Sequence, residues 1–152
     1  MSDGADLARR AADELVVAGF PRLPAQVLMA LTVEPAGRLA AAEIAERLAV
    51  SPAAVSGAVK YLGVIGMIRV GSVPGTRRHV YSLPPTPWYA STLIEDRTAV
   101  LRTVLEDGVD EVPEGPGRER IEEMIAFFRF LREELPPLWE RWRASRSDRP
   151  LG

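Results

Sequence analysis

A chain of 152 residues, 47 % hydrophobic and 26 % charged, has the size and composition of one compact domain, or of a small domain with appended helices, and disorder is not its default. It holds no cysteine and a single histidine, His79, which excludes disulfides, thiol chemistry, thiolate metal sites and any multi-histidine metal centre; no cofactor is expected. The net charge of −2 hides an uneven spread: residues 36–83 carry six basic groups against two acids, whereas residues 1–35 carry three against five and residues 84–152 ten against fourteen. A basic middle between acidic ends suits a module that meets a polyanion while the rest of the chain does another job.

The N-terminus lacks a basic region followed by an apolar core, and no stretch approaches 18 uninterrupted apolar residues. A cytoplasmic protein with no membrane contact is expected. The first helix is predicted over Ala5 to Ala18, with Leu7, Ala11, Leu15 and Ala18 on one face and Gly19 ending it. Pro24 opens a second helix whose Val27, Leu28 and Leu31 face a core, closed by Pro35 and Gly37. The third is predicted over Ala41 to Leu48, with Ile44, Ala45 and Leu48 inward. Ala40 stands where a serine or threonine would cap it, so its start is expected to be weak by about 1 kcal/mol.

Ser51-Pro52, a capping residue followed by a proline at the first helical position, begins the fourth helix, which Gly66 closes. Ala54, Val55, Ala58, Val59, Leu62 and Ile65 fall on one arc of it. The opposite arc holds Ala53, Ser56, Gly57 and Lys60, an unusually bare surface for a helix, since glycine costs about 1 kcal/mol against alanine in a helix interior. Met67 to Val70 and His79 to Leu83 are predicted strands, joined by GSVPGTRR. PPTP at 84–87 is a stiff separator. A long helix is then predicted from Trp88 to Glu106, followed by the loop DGVDEVPEGPG. The last helix, from Arg118, carries the stripe Ile121, Met124, Ile125, Phe128, Leu131 and Leu135, widened by Phe127 and Phe130. Pro136-Pro137 is expected to break or kink it before LWERWRASR resumes, and a disordered tail is expected over 147–152.

Three helices, the tight LAVSP turn between the third and fourth, and a hairpin predict a mainly α fold with a small β-hairpin wing: a winged helix-turn-helix over 20–84. Residues 1–19 and 85–146 are surplus to that motif and are assigned to N- and C-terminal dimerisation helices, with Leu7, Leu15, Ile121, Phe128 and Leu131 at the seam. The fourth helix becomes the recognition helix, its small outer residues letting the backbone sit deep in the major groove of double-stranded DNA. Expected DNA-binding residues are Ser51, Pro52, Ala53, Ser56, Gly57 and Lys60 on that helix, Arg77 and Arg78 in the wing, and Arg38 and Arg69 as secondary backbone contacts. With no Arg, Asn or Gln on the helix face, specificity is expected to lean on the wing and on groove shape. A homodimer reading a pseudo-palindromic operator follows from the weakness of a single unit. The competing readings are that the bare face packs on a protein helix, making this a protein-interaction module without DNA binding, that Arg69 merely pairs with an acid, and that the surplus helices fold back as a cap.

LAAAEIAERLAVSPAAVSGAVKYLGVIGMI followed by VPGTRRHVYSL resembles the MarR superfamily of bacterial transcription regulators, in particular its GbsR-like branch, and FFRFLREELPPLWERW resembles the tail of actinobacterial members. The likeness spans nearly the whole chain and implies a homodimeric repressor or activator, often ligand-responsive. In the family proper the wing holds an Asp-x-Arg pair whose acid orients the arginine; here Thr76 precedes Arg77-Arg78, which favours the GbsR-like pattern. The resemblance also implies a small-molecule effector, for which Trp88, Tyr89, Phe127, Trp139 and Trp142 are candidate lining residues. Such rings could hold a choline-like quaternary ammonium by cation–π attraction, although aromatic stripes at helical spacing are more often packing. No catalytic residues are assigned and an enzyme is not expected: there is no phosphate-binding glycine loop, and no carboxylate pair lies in an apolar setting.

Overall fold

The computed structural model describes residues 3–94, 96 and 98–147. In chain order these form α1 (Asp3–Val17), α2 (Arg22–Val33), β1 (Arg38–Ala40), α3 (Ala41–Leu48), α4 (Pro52–Val64), β2 (Arg69–Ser72), β3 (His79–Ser82), α5 (Trp88–Ile94), α6 (Ala99–Gly108), a short 3-10 turn at Val109–Glu111, and α7 (Pro116–Ser147). The chain divides into two compact units, the first running through Trp88 and the second starting at Tyr89, just beyond the PPTP separator.

The core of the first unit is made where α2, α3, α4 and the sheet meet. Val27, Leu28 and Leu31 of α2, Ile44 of α3, and Val55, Val59 and Leu62 of α4 are buried together with Leu39, Met67, Ile68 and Tyr81. Removing that much apolar surface from water, at ~25 cal/mol per Å2, is what holds three short helices in place. Helix α1 packs along α2 within the same unit, with Ala8 and Ala12 buried, Leu15 half-buried and Leu7 exposed. The first helix is therefore part of the compact unit that contains the winged helix, and the unit boundary lies at 88 rather than at 84.

The sheet has three strands, in the order β1-β3-β2, all antiparallel. The expected two-stranded wing gains β1, whose Arg38, Leu39 and Ala40 pair with Ser82, Tyr81 and Val80. Strand β2 also starts two residues later than predicted, because Met67 and Ile68 are buried in the core and serve as its lead-in. The expected weak start of α3 is corrected as well: the Glu43 side chain reaches back to accept the Ala40 N–H at 2.7 Å, supplying half of a capping box. Between α3 and α4, Ala49 adopts a left-handed conformation with φ of 53°, and the Val50 N–H closes the turn on the Ala45 carbonyl at 3.0 Å.

In the second unit the long helix expected from Trp88 to Glu106 is two helices. Asp96 accounts for the interruption: its carbonyl accepts the Ala99 N–H, its carboxylate accepts from the Thr98 hydroxyl at 2.9 Å, and the same carboxylate takes Arg102 at 2.6 Å. Those bonds start α6 afresh. Part of the expected loop is helical too, since α6 reaches Gly108 and α7 begins at Pro116. Pro136 and Pro137 do not end α7, which runs unbroken to Ser147. Both prolines are exposed, and the Arg132 and Glu133 carbonyls that lose a donor belong to exposed residues, where water replaces the missing bonds. Of the tail expected over 147–152, Ser147 closes α7 and the rest lies outside the described residues.

Arg102 is the one buried charge of this unit among the described residues, 7 % exposed. It sits between Asp96 and Glu106, and Glu106 in turn accepts from Arg129 of α7 at 2.6 Å, so α6 and α7 are joined by a satisfied chain of charges. The hydrogen bond from Arg102 holds the Asp96 carboxyl below the usual carboxylate range.

Candidate nucleic-acid interface

Ser51 and Pro52 start α4 as their chemistry requires: the Ser51 hydroxyl oxygen accepts the Ala54 N–H at 3.2 Å, and Pro52 occupies the first helical position, where no N–H is needed. The Ser51 hydroxyl proton remains available to donate outward. Gly66, with φ of 71°, ends the helix after the Met67 N–H has bonded to the Leu62 carbonyl at 2.9 Å. Pinned at both ends and by its buried arc, α4 turns its other arc to solvent. Ser51, Pro52, Ala53, Ser56, Gly57 and Lys60 are all exposed. A methyl group placed on Gly57 would meet nothing within 4 Å, so the chain's own packing gives no reason for glycine there.

The wing is a six-residue loop closed by hydrogen bonds. The Val73 N–H donates to the Arg78 carbonyl and the Thr76 N–H to the Val73 carbonyl, each at 3.1 Å, while Gly75 takes the left-handed conformation the turn needs, with φ of 76°. Arg77 and Arg78 are exposed on this loop. With Arg38, they line a groove of about 1180 Å3 between the wing and the β1–α3 junction. Arg69 does not line that groove. Register places Arg38 and Arg69 opposite Ser82 from its two sides, on the face of the sheet away from buried Leu39 and Tyr81.

Ion pairing separates the cations of the first unit into two groups. Arg9 and Arg10 pair with Asp6, Arg22 with Asp13, and Arg47 with Glu34. Arg38, Lys60, Arg69, Arg77 and Arg78 have no ion-pair partner among the described residues. The two carboxylates in the groove are engaged within the chain, Glu34 by Arg47 and Glu43 by the Ala40 N–H. Five uncompensated cations therefore share the unit with the bare flank of α4. Each is one the sequence singled out for DNA.

Two family models match the chain in succession: one described as MarR family over residues 18–79, and one described as MmpR5-like MarR family transcriptional regulator over residues 87–145. Both models describe MarR family proteins, so the chain is similar to that family over two successive stretches. The unpaired cations and the bare helix all lie within residues 18–79, the stretch that the first of these models matches. Among solved structures, a transcriptional regulator is 22 % identical, with 94 % of this chain and 99 % of that chain covered and a TM-score of 0.81, which establishes the fold. A MarR family transcriptional regulator from Streptomyces coelicolor, solved in complex with DNA, is also 22 % identical over 97 % of this chain and 86 % of its own, with a TM-score of 0.46. ZitR, a zinc-responsive MarR family member from Lactococcus lactis, is 23 % identical over 76 % of each chain, with a TM-score of 0.41. No curated protein matches. No group of three or more potential metal ligands occurs among the described residues of this chain. None of its helices is long and apolar enough to cross a membrane, among the described residues.

The second unit brings together three of the five candidate effector residues. Tyr89, Trp139 and Trp142 line a largely apolar cavity of about 530 Å3, with Leu135 and Leu138. Two others are elsewhere. Trp88 packs against the core of the first unit, its indole N–H donating to the Thr32 hydroxyl at 3.3 Å, and Phe127 is exposed on α7 beside Phe128. The Arg146 guanidinium lies 5.5 Å from the Trp142 ring centroid, so that ring already meets a cation of its own chain. Of the expected seam residues, Ile121, Phe128 and Leu131 are half-buried on α7. Sequence reasoning missed β1, which aligns Arg38, and the hydrogen bonds of Thr76; neither leaves a periodic signal.

Proposed function

We propose that this chain acts as a homodimeric, sequence-specific DNA-binding regulator of the MarR family, with α4 in the major groove and Arg77 and Arg78 on the adjoining minor groove or its phosphates. The observation that carries this reading is the coincidence, in one unit, of an uncovered α4 flank with five cations that have no carboxylate partner. A phosphate backbone supplies the missing counter-charge and small side chains allow close approach of a duplex. Lys60 offers a point charge to a guanine edge or a phosphate, Ser51 and Ser56 offer hydroxyls, and Ala53 a methyl-sized contact to thymine. Specificity then rests on the wing and on groove shape. Arg38 and Arg69 add backbone contacts.

Helices α1 and α5–α7 supply the dimer, with Leu7, Leu15, Ile121, Phe128 and Leu131 at the seam, so that two α4 helices meet half-sites about one helical turn apart. The cavity of Tyr89, Trp139 and Trp142 is the proposed effector site, and its apolar lining suits an apolar small molecule better than a quaternary ammonium, because Arg146 already covers Trp142. The GbsR-like, actinobacterial branch is part of the same proposal, supported by the wing that lacks an acid before Arg77.

Fragments of genomic DNA selected on the purified protein test the reading. Enrichment of inverted repeats, with affinity falling at a log–log salt slope near about −7 for roughly eight phosphate contacts, supports it. Binding indifferent to salt, or no enriched sequence, refutes it and favours a protein partner for the winged helix.

A further inference from the structure

The wing of this chain lacks the acid that would steer an arginine side chain, and the hydrogen bonds around Thr76 show what stands in its place. The Thr76 hydroxyl donates to the Val73 carbonyl at 3.0 Å and accepts the Arg78 N–H at 3.3 Å. Arg78 is thereby held at both of its backbone groups, since its carbonyl accepts the Val73 N–H at 3.1 Å. Arg77 is caught between two fixed residues. Neither arginine side chain has an ion-pair partner among the described residues, so order in this loop comes from its backbone.

We propose that Thr76 is the positioning residue of the wing: its hydroxyl locks the 73–78 turn so that Arg77 and Arg78 are presented to DNA as a preordered pair with both guanidiniums unspent. This rests on the DNA-binding reading above and adds how the wing works without an acid. An aspartate beside an arginine orients it but also neutralises part of the charge the phosphates are to meet. A hydroxyl bonded to backbone fixes the loop and leaves both charges available. The benefit is entropic, because residues ordered before binding need not be ordered during it. Valine has the shape of threonine without the hydroxyl. Freeing the turn in that way lets one to two backbone positions fluctuate, which weakens binding by about tenfold.

The test has two arms. In the first, affinity for a mixed-sequence duplex of about 30 base pairs is measured across salt for the wild-type chain, Thr76→Val and Thr76→Ser. Thr76→Val should bind about tenfold more weakly with the wild-type salt slope, because the cations remain, and Thr76→Ser should recover binding to within about twofold. In the second, without DNA, exchange of the Arg78 amide should accelerate in Thr76→Val and return to the wild-type rate in Thr76→Ser. Wild-type affinity in Thr76→Val, or a loss in Thr76→Ser equal to that in Thr76→Val, overturns the inference. Unchanged Arg78 exchange in Thr76→Val overturns it independently. A wild-type chain that binds no duplex defeats the functional reading instead, and the exchange arm still decides whether Thr76 holds the wing.

Discussion

Gly57 offers a perturbation in which stability and function should move in opposite directions. It lies in the interior of α4, exposed, and a Cβ built there has no neighbour within 4 Å. Nothing in the chain opposes Gly57→Ala, so the substitution should recover the intrinsic penalty of glycine in a helix, about 1 kcal/mol. For a cooperative unit of this size that corresponds to a rise in Tm of roughly 4–8 °C, read by circular dichroism. Gly57→Glu should still fold, because the side chain projects into open space, yet it brings a negative charge and a long chain to the surface proposed to lie against phosphates. Gel shifts on a selected operator fragment should show Gly57→Ala weakened and Gly57→Glu without specific binding. An unchanged or lowered Tm in Gly57→Ala would contradict the packing argument. Operator binding by Gly57→Glu at wild-type affinity would refute the groove placement of α4 outright.

Replacing Arg77 and Arg78 by Ala removes two unpaired cations per protomer; the salt slope of a dimer should flatten by roughly 3.6, and an unchanged slope would remove the wing from the interface. Phe128→Asp, at a half-buried position of the proposed seam, should yield monomers by sedimentation while helical circular dichroism persists; a persistent dimer moves the seam elsewhere. The lowered Asp96 pKa sets a pH dependence. A carboxylate whose folded pKa lies below its ordinary value of 3.8 stabilises the fold fully above that value, and the contribution is lost as pH falls through the folded pKa. Asp96→Asn should accordingly be less stable than wild type in denaturant titrations at pH 7, and the gap should begin to narrow only below about pH 4, closing as pH falls through the lowered folded pKa. A gap independent of pH would show that the Arg102 contact contributes nothing to stability.

How much of this was legible in the sequence depended on whether the determinant was local. Ser51-Pro52 and Gly66 act on their own neighbours, and α4 lies where they place it. The buried arc of Val55, Ala58, Val59 and Leu62 follows from spacing alone. Strand β1 was not legible because three residues, Arg38–Ala40, are too short to display alternation and are a strand only by pairing with β3 some forty residues later. The break between α5 and α6 leaves no local signal because IEDRTA reads as helix-permissive, and only the Asp96 bonds to Thr98, Ala99 and Arg102 reveal a restart. Nothing local separates Trp88 from the effector aromatics, because its partner, Thr32, is 56 residues away. Pro136-Pro137 misled for another reason: a helix in water tolerates lost bonds on its exposed side.

The cations were legible as a basic segment, but not as unpaired ones. Arg47 falls in the same segment as Arg38 and Arg77, and only the structure shows it consumed by Glu34 at 2.6 Å. That division narrows the interface to residues whose charge is still available.

The absence of cysteine from the chain makes the contact between α4 and a duplex directly measurable. Ser56→Cys provides one attachment point for a short photoreactive arm on the uncovered flank, and Val17→Cys provides an exposed comparison on α1. Illumination of the arm at Ser56 should cross-link operator DNA at two positions about one helical turn apart, and the arm at Val17 should not. Equal cross-linking from both sites, or none from Ser56 on DNA that the protein demonstrably binds, would contradict the placement of this helix against the duplex.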